Sequence, residues 1–496
     1  MPVRLTTEVA DLVGTLAERD PRNPATLWIV TRGVYESATA AALPQSTLWG
    51  LAGVVGAEQP QLWGGLVDLA GEDPAGSAEA LAALLPTPVK SVAILRDGQL
   101  RTSVLAEFTE APARETLRCR PDAAYLITGG MGVLGLLMAD WLADRGARRV
   151  VLAGRTPLPP RRDWDDESID ADTRHKIAAI RALELRGVSV DTVALDVGSR
   201  EALTAVLDKR DGDGAPPIRG VIHAAGMTEA QLLTEIEADR VHRTVWPKIA
   251  GAKVLDELFP PGSLDFLYLA ASAGAVFGIP GQGAYAAGNA YLDALARSRH
   301  HRGDNTVSLD WVAWQGLGFG SEAQVVVSEL ERVGSRPVVP AEAFAAWDFV
   351  TRFDVAQVVM APMQSAEDAA AVTADTHRAP TRDWTAMAPD ELLAELQDGL
   401  RGILATELRL PESDVHTDRP FAEMGLNSVM AMSIRREVER LVGLELSATM
   451  LFNHPTIESF ASYLAQQLAP ETGGDDEVAD DSGGSLLDSL FDSVEN

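Results

Sequence analysis

The stretch AYLITGGMGVLGLLMADWLADRGARRVVLAG, residues 124–154, decides the fold class of this chain. It begins with a short, unbroken apolar run, continues through a cluster of glycines, and then has apolar residues at helical spacing from Val133 to about Gly146. A second apolar run follows at Arg149–Ala153. Continuous apolar runs of this length are typical of parallel strands buried on both faces, so the stretch predicts a strand–glycine turn–helix–strand unit. The N–H groups at the start of such a helix can bind a diphosphate, and a purely structural turn is the weaker alternative.

The residue after the second strand indicates which dinucleotide this unit would bind. NAD sites usually carry an aspartate or glutamate there, which accepts a hydrogen bond from the ribose 2′-hydroxyl. Here the strand ends at Gly154-Arg155. A guanidinium can bind a 2′-phosphate as a charged fork, so we predict NADP(H). The alternative is that Arg155 is an ordinary solvated surface residue.

Composition and charge limit the class of protein. With 496 residues, 46% of them hydrophobic, the chain can bury two or three cores. Its single cysteine, Cys119, excludes disulfides within the chain and argues against a zinc site, so we predict no metal. The net charge of −30 argues against nucleic acid or an anionic membrane as partner. We find neither a signal-peptide core nor a run of the roughly 20 apolar residues that a membrane helix needs, so we expect a cytoplasmic protein.

The chain divides into regions of different character. Before the glycine turn, strand-like runs flank a predicted helix at 45–57, and a hairpin turn is predicted at Asp97-Gly98. This region has no phosphate-binding glycine cluster, so we interpret it as an α/β companion without its own cofactor. Residues 361–386 are rich in alanine, threonine and aspartate and predict a linker. Residues 471–496 contain nine acidic residues and no basic one, and we expect the acidic, glycine-rich stretch that begins this tail to be disordered.

Strand ends after the first unit carry candidate ligand-binding residues. Three further apolar strands are predicted to end at Asp196, at the small residues of HAAG (223–226), and at Ser272. Small residues at the carboxyl end of a strand allow a flat ring to approach the backbone. The candidate cofactor-binding residues are Thr128, Gly129, Gly130, Gly132, Gly135, Arg155, Asp196, Ala224 and Gly226.

Four residues near the last two strand ends suit the reduction of a ketone. Tyr285 and Asn289 lie four residues apart on one predicted helix and share a face. A tyrosine can protonate the developing alkoxide if a neighbouring ammonium, here Lys248, lowers its pKa from about 10. A serine hydroxyl such as that of Ser272 can bind the carbonyl oxygen. Each residue alone has an ordinary structural explanation, but together with the dinucleotide motif they predict a catalytic group.

The motifs resemble a known family. Residues 25–355 are similar to the ketoreductases of type I polyketide synthases, which are short-chain dehydrogenase/reductases. The resemblance rests on TGGMGVLG, GVIHAAG, PKIAGA, AASAGAVFGIPGQGAYAAGNAYLDA and SLDWVAW. It implies NADPH as cofactor and places the family's catalytic lysine, serine, tyrosine and asparagine on Lys248, Ser272, Tyr285 and Asn289. It also implies an α/β, Rossmann-like, doubly wound fold, with a structural subdomain at 1–120 and a catalytic subdomain at 121–360.

Two family signatures for the configuration of the product alcohol are not intact. Residues 227–230, Met-Thr-Glu-Ala, lack the paired aspartates that mark one configuration. Phe277 stands where a tryptophan marks the other. The configuration of the hydroxyl is therefore left open by the sequence.

Residues 387–470 predict a small acidic helical bundle. Ser428 stands at the start of its second helix, where a serine is often only a helix cap. The flanking GLNS and LFNHPTIESFASYL resemble an acyl carrier protein, which places the family's phosphopantetheine serine on Ser428. Asn427 replaces the aspartate that usually precedes this serine.

The resemblances together imply a ketoreductase–carrier didomain from the C-terminal part of a polyketide synthase. It would use NADPH to reduce a β-ketoacyl thioester, held on 4′-phosphopantetheine, to the β-hydroxyacyl thioester. The implied partners are ketosynthase and acyltransferase domains and a pantetheinyl transferase. The alternative is a catalytically silent reductase fold that only positions the carrier. A free-standing metabolic dehydrogenase does not explain the fused helical bundle.

The last residues of the chain have a pattern of their own. Apolar residues recur at helical spacing between acidic ones: Leu486, Leu487, Leu490, Phe491 and Val494. The segment is too short to be a stable helix in water. We interpret it as a docking motif that folds on a downstream enzyme, the alternative being a functionless C-terminus.

Overall fold

The computed structural model describes two sheets and a helical C-terminal region. It describes residues 1–17, 25–36, 39, 41–70, 74–107, 111–318, 324–363, 384, 387–408, 410–424, 426, 428–444, 446 and 450–468. Most of the predicted linker and the predicted docking motif in the acidic tail lie outside these residues. No helix in the described ranges is both long enough and apolar enough to cross a lipid bilayer.

A seven-stranded parallel sheet forms the centre of the molecule, in the strand order β11-β10-β9-β8-β5-β6-β7. Its strands are β5 Ala124–Thr128, β6 Arg149–Gly154, β7 Ser189–Ala194, β8 Ile218–His223, β9 Phe266–Ser272, β10 Thr306–Trp311 and β11 Gln357–Met360. The central strands are apolar because helices cover both faces of the sheet, and every residue of β5 and β10 is buried. This order confirms the predicted Rossmann-like, doubly wound α/β class.

The helices of this part lie between the strands, with core clusters on both faces of the sheet. They are α5 Val133–Asp144, α6 Ala171–Leu185, α7 Arg200–Gly212, α8 Ala238–Leu258, α9 Gly274–Phe277, α10 Gly283–His301, α11 Gln324–Arg332 and α12 Pro340–Val350. Helix α5 begins after the glycine turn and α10 carries Tyr285, as the sequence predicts.

The N-terminal region contains a smaller four-stranded sheet in the order β1-β2-β3-β4. Its elements are α1 Pro2–Ala17, β1 Leu27–Arg32, α2 Ala42–Gln45, α3 Thr47–Glu58, β2 Trp63–Leu69, α4 Pro74–Leu84, β3 Val92–Arg96 and β4 Gln99–Thr102. Strands β3 and β4 form the predicted hairpin, with positive φ at both Asp97 and Gly98. The helix predicted at 45–57 is instead two helices that meet at Ser46. The Ser46 hydroxyl donates to the Leu43 carbonyl at 2.6 Å, a local bond that competes with a continuous helix.

Helix α3 of the N-terminal region packs against α10 at backbone contact distance. A Cβ added at Gly50 would overlap the Ala286 carbonyl, and one at Gly53 would lie 2.9 Å from Gly278 Cα. Ala286 and Ala287 of α10 belong to the same core cluster as residues of α1, α3, β1 and β2. The N-terminal region and the helix that carries Tyr285 therefore share one core.

The C-terminal region is a small helical bundle, as predicted. Its described helices are α13 Pro389–Leu408, α14 Ser428–Val442, α15 Met450–Asn453 and α16 Ile457–Leu468. They enclose their own core, which includes Phe421, Ile434 and Phe460. Trp384, which falls in the predicted linker segment, is buried in this core and donates its indole N–H to the Leu441 carbonyl at 3.1 Å.

A buried carboxyl joins the N-terminal region to the sheet that carries the candidate site. Glu58, the last residue of α3, is fully buried. Its two oxygens accept the backbone N–H groups of Leu233 and Gly281, each at 2.8 Å. Gly281 lies in the loop that enters α10, four residues before Tyr285. Glu58 therefore holds the entrance of this helix from a position more than two hundred residues away in sequence.

We predict that Glu58 makes the stability of the fold depend on pH. Burial raises the pKa of Glu58 from 4.5 to about 7, although its two N–H donors oppose this shift. Between these pH values the folded chain holds a proton that the unfolded chain releases, so the free energy of unfolding falls as pH rises. Glu58→Gln abolishes this titration. Relative to the variant, the free energy of unfolding of the wild-type protein should fall by up to about 3 kcal/mol between about pH 4.5 and about pH 7.5.

Urea unfolding of both proteins across this range measures the difference, and subtraction removes the contribution of other titrating groups. The matched control is Glu8→Gln, because Glu8 is an exposed carboxyl on α1. A wild-type–variant difference that stays constant with pH would contradict the prediction.

Candidate active site

The glycine turn brings backbone N–H groups to the carboxyl edge of the large sheet. Gly129 has φ +70°, and a Cβ there would lie 2.7 Å from the backbone of Ala224 at the end of β8. Only glycine fits this close approach of two strand ends. Gly132 caps the first turn of α5 in extended conformation, so the helix N-terminus faces the same edge. Thr128, Gly129 and Ala224 are thus neighbours, as expected of cofactor-binding residues in a cradle for a diphosphate.

His223, the last residue of β8, connects the glycine turn to the helix of Lys248. Its Nδ1 is 2.7 Å from the Thr128 hydroxyl, and its Nε2 is 3.2 Å from the Lys248 carbonyl. Burial and the nearby Lys248 ammonium lower its pKa to about 3, so the ring is neutral. The carbonyl can only accept, so Nε2 carries the proton and Nδ1 accepts from Thr128. Sequence reasoning missed this positioning role, although the histidine stands in the quoted GVIHAAG motif.

Arg155 and Asp196 both follow strands that end at the carboxyl edge of the large sheet. Arg155 is exposed, whereas Asp196 accepts hydrogen bonds. Arg155 follows the last residue of β6, is exposed, and makes no hydrogen bond or ion pair with the described residues. Strand β7 ends at Ala194, so the prediction that it runs to Asp196 was wrong by two residues. The reason is local: the Asp196 carboxylate accepts the Gly198 N–H and the Trp246 indole N–H, each at 2.9 Å, which turns the chain away from the sheet.

The structure brings the four predicted catalytic residues to the same edge of the sheet. Ser272 is the last residue of β9, and its Oγ accepts the Gly274 N–H at 3.2 Å. Lys248 extends from α8 and lies with its Nζ 5.3 Å from the ring centroid of Tyr285. Asn289 lies one turn beyond Tyr285 on α10 and donates from Nδ2 to the Tyr285 carbonyl at 2.8 Å. The Oδ1 of Asn289 is buried and has no hydrogen-bond partner in the described part of the chain.

The surroundings raise the pKa of Tyr285. Desolvation of the phenolate dominates, while polar contacts with the side chains of Asn289 and Ser272 lower the pKa in part. The sequence-based expectation that Lys248 lowers this pKa is not what the structure shows, because the ammonium donates to the Ala270 carbonyl at 2.8 Å. Tyr285 is therefore a protonated hydroxyl at neutral pH, with the side chains of Ser272 and Asn289 as polar neighbours.

Two buried carboxyls, those of Asp293 and Asp310, lie near Lys248. Sequence reasoning did not identify them. Asp293, two turns after Tyr285 on α10, accepts the Ser308 hydroxyl at 2.6 Å, and Asp310 on β10 accepts from Gln357 Nε2 at 2.8 Å. The two carboxyls lie close enough for each to shift the pKa of the other, and Asp310 Oδ1 has no hydrogen-bond partner among the described residues. Burial and the neighbouring carboxylate raise the pKa of Asp310 well above its usual value.

This carboxyl pair offsets the cost of burying the ammonium. Burial lowers the pKa of Lys248 to about 8, while Asp293 and Asp310 raise it. Lys248 therefore stays cationic at neutral pH although it is 3% exposed. The signal in the sequence was the spacing of Tyr285, Asn289 and Asp293, which continue one stripe along α10.

Ser428 is the first residue of α14, as the sequence predicts. Its side chain and the preceding Asn427 lie outside the described residues. The first turn of a helix is a favourable place for a negatively charged phosphodiester, because the helix dipole and the free N–H groups stabilise an anion.

Family models match the two parts of the chain separately. Residues 123–316 match the KR domain, and residues 398–464 match the phosphopantetheine attachment site. The chain is 59% identical over its whole length to one of the phenolphthiocerol/phthiocerol polyketide synthase proteins of Mycobacterium tuberculosis. Over 90% of its length it is 35% identical to the 6-methylsalicylic acid synthase of Penicillium patulum. The chain spans only 26% of the length of each of these relatives.

Solved structures of ketoreductases are similar in fold and sequence. The chain is 32% identical to the ketoreductase from the first module of phoslactomycin biosynthesis in Streptomyces sp. HK803, with a TM-score of 0.60. The match covers 74% of this chain and 82% of that one. An A1-type ketoreductase is 29% identical, with a TM-score of 0.63, over 75% of this chain and 78% of that one. The chain belongs to the ketoreductases of polyketide synthases, and a phosphopantetheine-attachment carrier domain follows the ketoreductase domain.

Proposed function

We propose that this chain uses NADPH to reduce a β-ketoacyl thioester, carried on the phosphopantetheine of Ser428, to the β-hydroxyacyl thioester. The observation that carries the proposal is the convergence of Ser272, Tyr285 and Lys248 beside the glycine turn at one edge of the sheet. The domain boundaries at 120, 360 and 470 are part of the same proposal, whereas the burial of Trp384 in the carrier core moves the start of the carrier domain before the predicted boundary at 386.

The residues present suit a nicotinamide dinucleotide phosphate. The close approach of Gly129 to the Ala224 backbone and the N-terminus of α5 after Gly132 bring backbone N–H groups to this edge of the sheet, where a diphosphate can bind. Thr128, Gly130, Gly132, Gly135 and Gly226 complete this group of proposed contacts around the turn. The exposed guanidinium of Arg155 is free of described partners and can bind a 2′-phosphate. NADPH, when bound, supplies the hydride.

The side chains of this chain supply the proton and the orientation. Ser272 and Tyr285 present two hydroxyls that can donate to one carbonyl oxygen and stabilise the charge that develops there. Tyr285 gives up its proton to that oxygen as the alkoxide forms, which balances the arrival of hydride at the β-carbon. Lys248 is cationic at neutral pH and lies beside the Tyr285 ring, with its ammonium donating to the Ala270 carbonyl. The free Oδ1 of Asn289 can accept one hydrogen bond from a group entering the site.

The catalytically silent scaffold remains the competing hypothesis, and NADPH consumption separates the two. A scaffold would bind NADPH but would not oxidise it when a short β-ketoacyl thioester is added. Ser272 and Tyr285 form a pair of hydroxyl donors, and the buried Lys248 has carboxyls nearby that offset its charge. Burying these groups costs stability without any benefit to a scaffold, so their presence favours the enzyme. Other synthase domains and a pantetheinyl transferase are the proposed partners.

We predict that Tyr285→Phe abolishes reduction and leaves NADPH binding almost unchanged. The substitution removes only the hydroxyl that protonates the alkoxide, so kcat should fall by about two to four orders of magnitude. NADPH absorbance with a short β-ketoacyl thioester measures turnover, and fluorescence titration measures cofactor affinity. Tyr291→Phe is the matched control, because Tyr291 is a buried tyrosine on the same helix. Turnover near the wild-type rate in Tyr285→Phe would remove Tyr285 from the mechanism.

Arg155→Asp should shift the cofactor preference from NADPH toward NADH. The new carboxylate would repel a 2′-phosphate and accept from a 2′-hydroxyl, so the KM for NADPH should rise by about ten- to a hundredfold. Steady-state kinetics with each cofactor give the ratio of kcat/KM values. Arg162→Asp is the control, because Arg162 is a nearby exposed arginine. An unchanged ratio would mean that another residue binds the phosphate.

Ser428→Ala should prevent attachment of phosphopantetheine. Incubation with coenzyme A and a pantetheinyl transferase, followed by intact-mass measurement, detects the adduct on the wild-type chain. Ser462→Ala, on the exposed face of α16, should retain the adduct. If Ser428→Ala still gains the mass, the attachment serine lies elsewhere in the carrier.

A further inference from the structure

Helix α11 lies at the sheet edge that holds the candidate site. Its buried side chains Val326 and Leu330 belong to the same core cluster as Trp311, the residue that ends β10 beside Ser272. The chain between β10 and α11 passes Leu134 of α5, because a Cβ at Gly318 would be 3.4 Å from that side chain. Helix α11 therefore packs near the ends of β10 and β11, at the same edge of the sheet as Ser272.

The outward side of α11 contacts the carrier domain through a buried ion pair. Arg435 of α14 lies with its Nη2 3.3 Å from Glu329 Oε1, and the side chains are 7% and 1% exposed. The other oxygen of Glu329 pairs with Arg332 of its own helix at 2.5 Å. A buried charge without its partner is costly, so each of these two surfaces strongly favours the other.

The charge pattern of the carrier suits this contact. Residues 387–470 hold thirteen acidic and six basic residues, and three of the basic ones, Arg435, Arg436 and Arg440, stand on α14. Helix α11 presents Glu329 and Glu331. One of these arginines, Arg435, meets a carboxylate of α11, Glu329.

A second contact lies on the N-terminal region. Gln61 Nε2 donates to the Tyr463 hydroxyl of α16 at 3.1 Å. The carrier therefore contacts the reductase at two places separated by hundreds of residues in sequence. The exposed bond at Gln61 contributes little by itself, so the buried pair dominates the contact.

We propose that α11 is the docking helix for the carrier of this chain, and that the Glu329–Arg435 pair holds α14 there during reduction. The proposal rests on the proposed function of Ser428 and of the reductase site. Arg435 is seven residues after Ser428, so the docked contact is about 10 Å along the helix from the attachment point. Docking at α11 therefore keeps the attached substrate beside the edge of the sheet where Ser272 and Tyr285 lie.

The test compares a substrate on the carrier with a free substrate. The full chain is loaded at Ser428 with a β-ketoacyl pantetheine group, and one turnover is followed by NADPH absorbance. Glu329→Gln and Arg435→Gln should each slow this turnover about tenfold, the loss expected when one charged contact is removed. The double variant should be no slower than either single variant, because both remove the same pair. Reduction of a free short β-ketoacyl thioester should be unchanged in all three.

Glu331→Gln is the matched control, since it removes an exposed carboxylate from the same helix and should not slow the loaded chain. The proposal is overturned if the single variants keep the wild-type rate, if their effects multiply in the double variant, or if the free thioester is slowed equally. Failure of the wild-type chain to reduce the free thioester would instead contradict the proposed function itself.

Discussion

The backbone contact between α3 and α10 is the constraint on which the candidate site depends. Gly50 lies against the Ala286 carbonyl, so the two helices approach as closely as their backbones allow. On another side of α10, Gly288 faces the alkyl chain of Lys248, where a Cβ would be 3.5 Å from Lys248 Cδ. Small residues thus let α10 pack between two helices without a layer of large side chains. The position of Tyr285 follows from this packing, and the N-terminal region acts as a wall of the site although it has no phosphate-binding glycine cluster.

The buried ammonium of Lys248 needs negative charge nearby, and α10 supplies part of it through Asp293. Lys248 is 3% exposed, and an isolated ammonium in such a place would lose its proton. The Ala270 carbonyl accepts one of its hydrogens, and the nearby carboxyls of Asp293 and Asp310 raise its pKa. Three groups of the site therefore lie on one stripe of α10. They are Tyr285, the proposed proton donor, Asn289, one turn later, and Asp293, which raises the pKa of Lys248. Displacement of this helix would disturb all three together.

The contact between the carrier and α11 differs in its chemistry from the apolar cores of the two domains. The bundle has an apolar core of its own, whereas the contact with α11 includes a buried charge pair. A buried charge pair adds little net affinity compared with apolar residues, but either charge left without its partner is costly, so the pair makes the contact specific.

Local patterns in the sequence determined much of this protein. The glycine turn, the hairpin at Asp97-Gly98 and the helix that begins at Ser428 depend on residues close together in the chain. The meeting of Ser272 with Tyr285 was also predictable, because parallel strands place their carboxyl ends at one edge. Only the tertiary structure determined that Glu58 holds the entrance of α10, that Asp293 and Asp310 lie together near Lys248, and that burial raises the pKa of Tyr285. These features arise from contacts between distant segments and from loss of water, and neither is encoded in the spacing of neighbouring residues.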